Sequence, residues 1–206
     1  MTIRAIVIAA TFSAWAVFAF AGNAHALLID RGAGLIYDTE QNITWLQDTN
    51  LAGSGMIWTD ALDWADQLVF AAHTDWRLPT SPATAQGFIN EGEMGFLYYT
   101  ELGNPAGGPL SNTGPFVNFP PLAVAIFWLD ATPLHAGSAW NFEFGANGGF
   151  QNASSRDGNF WFAWTVHDGD VGAVNPEPSA AVLFGVGSLI VGATLRKRRF
   201  ASVELD

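Results

Sequence analysis

Seventeen consecutive residues, Ser179 to Leu195, carry no charge, and Arg196-Lys197-Arg198-Arg199 follow at once. An uncharged run of this length stands at the short end of what crosses a bilayer core as a helix. A Lys and Arg cluster marks the cytoplasmic side of such a helix. A globular body is therefore expected before it. At the other end, Arg4 is the only side-chain cation ahead of an apolar stretch from Ala5 to Gly22. Ala24-His25-Ala26 then places small residues at both positions that a signal peptidase reads, so cleavage after Ala26 is expected. A retained N-terminal anchor is the alternative, because the apolar stretch is longer than many signal h-regions.

The expected organisation is a signal peptide over 1–26 and one domain over 27–172. A linker over 173–178, a transmembrane helix over 179–195 and a basic cytoplasmic tail over 196–206 follow. The domain is long enough to bury a real core. Nine Trp and sixteen Phe in the chain supply the apolar area, which argues against disorder despite the many glycines. Cysteine is absent. Thiol catalysis and cysteine metal sites are thereby excluded, and packing rather than disulfides must hold an exported domain together. Between Asp30 and Asp170 there are sixteen carboxylates against Arg31, Arg77 and Arg156. Such a surface repels phosphate backbones, so nucleic acid is not an expected partner.

The local patterns predict an α+β fold: a hairpin, two or three helices, then antiparallel aromatic strands. Leu35 to Asp38 and Ile43 to Leu46, joined by a polar turn, read as the hairpin. Thr59 is a candidate N-cap for a helix with Asp60 and Asp63 near its positive end. Ala61, Leu62, Ala65, Leu68 and Val69 recur on one face of that helix. Ser81-Pro82 reads as another helix start, and Glu93 to Leu102 as a helix stopped by Gly103. Pro and Gly punctuate a long loop over 104–121. Ala123 to Leu129 suits a central strand, and Trp140, Phe142 and Phe144 alternate with polar residues. Gly145 to Gly149 reads as a turn, and Phe160 to Val166 as the last strand.

Pro176-Glu177-Pro178, the apolar run and the Arg-rich end resemble the PEP-CTERM sorting signal. That resemblance implies processing by an exosortase at a Gram-negative envelope. The middle resembles the collagen-like adhesin C-terminal (Lcl C-terminal) domain. The matching pieces are Asp30-Arg31-Gly32 with Gly34 to Asp38, Ile43-Thr44-Trp45-Leu46, Trp58 to Trp64, Asp75-Trp76-Arg77-Leu78-Pro79-Thr80, Glu93-Met94-Gly95, Phe127-Trp128 and Ala163-Trp164. This likeness implies a C-type-lectin-like fold near the formylglycine-generating-enzyme type. One departure stands out: His167-Asp168-Gly169-Asp170 occurs where that family often has an Arg.

Taken residue by residue, Trp76-Arg77-Leu78-Pro79-Thr80 reads first as structural. Pro79 pushes Leu78 into an extended conformation, Trp76 and Leu78 can plug the core, and Thr80 or Ser81 can cap a helix. Arg77, in so acidic a domain, is expected to pair with a carboxylate, for which Glu93 is the candidate. A ligand-binding role for Arg77 is the alternative.

No catalytic residues are assigned. His73, His135 and His167 stand in separate segments, with no two-ligand helix spacing. No nucleophile elbow and no phosphate loop is present, and carboxylate pairs are abundant without a pattern that selects hydrolysis. A binding module or a structural matrix protein is the expected class, with extracellular polysaccharide or another surface component as partner in biofilm matrix or adhesion. The candidate ligand residues are Asn147, Asn152, Asp157, Asn159, Asp168 and Asp170. Asp157-Gly158-Asn159 and Asp168-Gly169-Asp170 offer oxygens suited to Ca²⁺, although such triplets are commonly ordinary turns.

Overall fold

The protein is described by a computed structural model covering residues 27–82, 86–131 and 135–172. The signal residues Ala24 and Ala26, the Pro176-Glu177-Pro178 motif, the 179–195 helix and Arg196, Lys197, Arg198 and Arg199 lie outside the described residues. Among the described residues, no helix is long and apolar enough to cross a membrane.

Among the described residues, two four-stranded antiparallel sheets and two short helices make an α+β body. The first sheet has the order β1(Leu28–Gly32), β2(Leu35–Asp38), β3(Ile43–Leu46), β8(Val166–Asp168). The second has the order β4(Gly87–Phe88), β7(Phe150–Ser155), β6(Ser138–Glu143), β5(Ile126–Trp128). The β2–β3 hairpin forms where the alternating β-rich runs predict it, with Asp38 opposite Ile43. The sequence reading missed β1. It is joined to β2 through Gly32, Ala33 and Gly34, all at positive φ, a conformation that glycine supplies without steric cost.

Helix α1(Trp58–Gln67) follows the predicted periodicity, with Ala61 and Ala65 buried. Its start and end differ from expectation. Ile57 occupies the N-cap and no side chain caps the helix, so Thr59 lies inside the first turn. Val69 falls beyond the C-cap Leu68 and is 67% exposed. Ser81 and Pro82, where a helix start is expected, are irregular backbone, and residues 83–85 lie outside the described residues; Ser81 Oγ donates to Gln151 Oε1 on β7. The helix predicted over Glu93 to Leu102 divides into α2(Gly92–Phe96) and a π-helical turn, Leu97–Glu101. Gly103, at φ +64°, ends it as expected.

Among the later strands, the apolar run Ala123 to Leu129 gives only β5, because Leu122 to Val124 turn and are partly exposed. The segment Phe160 to Val166 is not one strand. Trp161 bridges Met56, Phe162 bridges Phe127, and regular pairing begins only at Val166. Strand β7 was not anticipated, since Phe150-Gln151-Asn152-Ala153-Ser154-Ser155 carries little β-branched or aromatic character. Buried Asn104 organises the long loop over 104–121: its Oδ1 accepts from Ser111 N, Ser111 Oγ and Asn112 N.

The core between the sheets is aromatic. Trp164, fully buried, stands 4.8 Å from Trp45, 4.9 Å from Phe116, 5.4 Å from Phe127 and 5.5 Å from Phe144 between ring centroids. The pairs with Phe116 and Phe144 meet edge to face, the arrangement that the ring quadrupole favours, and those with Trp45 and Phe127 are tilted. Trp164 Nε1 donates to Leu46 O at 2.8 Å. A second cluster packs the small faces of Ala61 and Ala65 against Leu78, Trp128, Ala139 and Ala163. Trp128 Nε1 donates to Met56 O at 2.8 Å there.

Removing the indole hydrogen bond while keeping a ring tests this centre. Trp164→Phe leaves the Leu46 carbonyl without its donor and opens space, and is expected to cost about 2–3 kcal/mol in urea unfolding. Trp164→Ala is expected to cost about 3–5 kcal/mol.

Candidate functional site

The Trp76-Arg77-Leu78-Pro79-Thr80 segment lies alongside β8, where Arg77 and Val166 exchange backbone hydrogen bonds of 2.9 Å each way. Alternation then buries Trp76 and Leu78 and turns Arg77 to the other side. The guanidinium meets Glu93 as a fork, with Nη1 donating to Oε2 at 2.9 Å and Nη2 to Oε1 at 2.7 Å. Its Nε and Nη2 also donate to Asp168 Oδ1, at 3.0 and 2.6 Å, and Nη1 to Leu78 O at 3.2 Å. The Arg77–Glu93 pair expected from the sequence is present, and Asp168 joins it. Hydrogen bonding to Glu93 is the main influence lifting the Arg77 pKa further above its usual value; burial works in the opposite direction.

Glu93 is also fixed from its other side. Thr80 N donates to Glu93 Oε2 at 2.6 Å, and Glu93 N to Thr80 O at 3.0 Å. Behind it, fully buried Asp38 accepts from Glu40 N at 3.1 Å, Gln41 N at 2.9 Å, Gln41 Nε2 at 2.7 Å and Trp45 Nε1 at 3.4 Å. Gln41 Nε2 also donates to Glu93 O at 3.1 Å, so the two carboxylate centres are linked.

This network forms the wall of an open cleft of about 560 Å³. Glu40, Gln41, Asn90, Glu91, Glu93 and Phe96 line it, together with the Thr80 to Pro82 segment. Carboxylates, amides and hydroxyls therefore converge beside one aromatic ring. A smaller hollow of about 310 Å³ lies at Arg77, with Asp63, Asp66 and Asp130 around it. Apart from Glu93 and the Thr80 region, the cleft residues were not singled out in the sequence. They come from the β2–β3 turn and the α2 approach, which are 50 residues apart and carry no motif.

The six predicted late-loop residues lie on separate parts of the surface. Asn147 sits in the β6–β7 turn, and Asp157 and Asn159 lie past the other end of β7, about 20 Å away along a six-residue strand. Asn152 is within β7. Asp157 pairs with Arg156 at 3.5 Å, Asp168 with Arg77, and Asp170 with Arg31 through two hydrogen bonds. Among the described residues, no group of three or more His, Cys, Asp or Glu side chains could hold a metal ion. His73 and His167 do meet, with ring centroids 5.9 Å apart, whereas His135 stands in the turn before β6. His73 Nε2 lies 3.0 Å from Gly172 O, and His167 Nδ1 lies 2.7 Å from Asp168 O.

Comparison with family models, with curated proteins and with solved structures gave no match.

The two carboxylate partners of Arg77 differ in exposure, with side chains 15% exposed for Glu93 and 78% for Asp168. Arg77→Ala leaves the more buried Glu93 uncompensated and is expected to cost about 3 kcal/mol by urea unfolding. Asp168→Asn is expected to cost under about 1 kcal/mol, as for an exposed ion pair. Equal losses would show that Glu93 does not depend on Arg77.

Proposed function

We propose that this chain is an exported, non-catalytic envelope or extracellular-matrix protein whose domain, of C-type-lectin-like type, binds extracellular polysaccharide in the cleft beside Glu93. The observation that carries this reading is the cleft itself. Its carboxylates and amides can hydrogen-bond sugar hydroxyls while the Phe96 ring offers an apolar face, the mix expected of a small-ligand site. Its wall is already fixed by Arg77, so a ligand need not order it, and less affinity is lost on binding. The acidic surface disfavours anionic chains and makes neutral or amine-bearing glycans the preferred class.

Export and sorting rest on the terminal segments. Signal peptidase acts after Ala26, and an exosortase reads Pro176-Glu177-Pro178 with the apolar run and Arg196 to Arg199. The protein is then held briefly in the inner membrane before reaching the outer surface or matrix. A purely structural matrix role is the competing reading, favoured by the packed aromatic core and by the ion pairing of Asp168 and Asp170. A glycan-active hydrolase is a third, less supported one.

Binding of the protein to an array of neutral and anionic exopolysaccharides, in calcium and then in chelator, tests the proposal. Saturable binding to a neutral subset is expected, weakened about tenfold by Glu91→Gln and by Phe96→Ala, which corresponds to about 1.4 kcal/mol each. Loss of binding in chelator would overturn a metal-independent site in the cleft. Absence of saturable binding under both conditions would favour the structural role.

A further inference from the structure

Behind the cleft wall lies a carboxyl group that the binding reading does not use. Glu101 ends the π-helical turn, and both of its carboxyl oxygens are buried with no N–H or hydroxyl donor in reach. It faces the Asp38 carboxyl within hydrogen-bonding range, with Glu40 close enough to act on it. Two carboxylates in this setting cannot both be charged, because each would be desolvated beside a like charge.

The surroundings decide which one keeps its proton. Asp38 has donors from two backbone N–H groups, one amide and one indole, a set suited to an anion. Glu101 has none. We propose that Asp38 and Glu101 share one proton, carried on Glu101, and that this proton latches the π-helical turn to the β2–β3 turn behind the cleft, so that alkaline pH loosens the cleft wall.

Burial first, and then the hydrogen bond and charge of Asp38 with the charge of Glu40, push the Glu101 pKa up to about 9. On its own turn the ionisable neighbours are Tyr98 and Tyr99, both raised above the ordinary tyrosine value by burial and therefore neutral below it. None of the charged groups acting on Glu101 is a cation. Glu101 ends a π-helical turn, and such turns recur at functional sites. The turn is closed by Leu102 N on Leu97 O at 2.9 Å and Asn104 N on Tyr98 O at 3.0 Å. Gln41 relays the effect, since the same Nε2 donates to Asp38 Oδ2 and to the Glu93 carbonyl.

The sign follows from linkage. The folded state holds this proton more tightly than the unfolded chain, whose carboxyl has the ordinary value of 4.5. The contribution to stability is therefore full below about pH 4.5 and is lost steadily as pH rises to about 9.

Difference infrared spectroscopy of the full chain reads the proton directly and needs no ligand, so its outcome is independent of polysaccharide binding. At pH 7 a protonated carboxylic acid band is expected in the wild-type chain, absent in Glu101→Gln and titrating away near pH 9. In parallel, the Tm of Glu101→Gln relative to wild type should rise between pH 5 and pH 9 and then level off. A wild-type spectrum without that band at pH 7 overturns the proposal, whether or not the variant folds. So do parallel Tm curves across that range. A Tm raised by calcium chloride in wild type but not in Glu101→Gln also overturns it, since the pair would then hold a cation.

Discussion

The fork between Arg77 and Glu93 is the interaction on which the arrangement of the domain's edge depends. It joins the segment beside β8 to the first turn of α2, and through Asp168 it joins both to the end of β8. A guanidinium suits this junction better than an ammonium, since its planar donors can serve two carboxylates and a carbonyl at once. The three cations between Asp30 and Asp170 each pair with an acid in the last third of that span: Arg31 with Asp170, Arg77 with Asp168 and Arg156 with Asp157. Only the bond of Arg77 to Glu93 is well shielded from water, so it carries more weight than the other pairs.

Away from that edge, cohesion comes from rings. A chain without cysteine has only burial to hold its two sheets together, and large flat side chains supply the most area per residue. The indoles are anchored as well as buried. Trp164, Trp128 and Trp58 each donate to a backbone carbonyl, on Leu46, Met56 and Leu129 respectively. The acceptors are the last residue of β3, the bridge residue Met56 and the residue just past β5, so each bond satisfies a backbone carbonyl where regular pairing ends. Gly145 marks how tightly these stretches meet, since a Cβ there would overlap the Leu122 carbonyl.

Legibility in the sequence followed the range of the forces involved. The β2–β3 hairpin and most of α1 were readable because their patterns are local and periodic. Arg77 with Glu93 was readable because so few cations face so many acids. Strand β7 and the irregular backbone at Ser81 and Pro82 were not readable. Gln151 and Ser81 bond to each other across 70 residues, and that long-range pairing outweighs local propensity. The cleft was illegible for the same reason: Gln41 and Glu93 meet only after the hairpin turn packs on α2. The buried state of Glu101 left no trace at all, since a glutamate in a helical pattern reads as a solvated one.

Past β8 the chain does not simply leave. Gly169 N bonds to Asn42 O, Thr44 Oγ1 donates to Gly169 O and accepts from Val171 N, and Asp170 reaches Arg31. These few residues form a clasp laid over Thr44, which is why that threonine is fully buried. Tension entering the domain through its C-terminal side would meet the His73 contact with Gly172, then the clasp, and would reach the β3–β8 ladder only after these bonds part. The domain thus has a mechanical fuse: short polar links that yield under load before the aromatic core feels any pull.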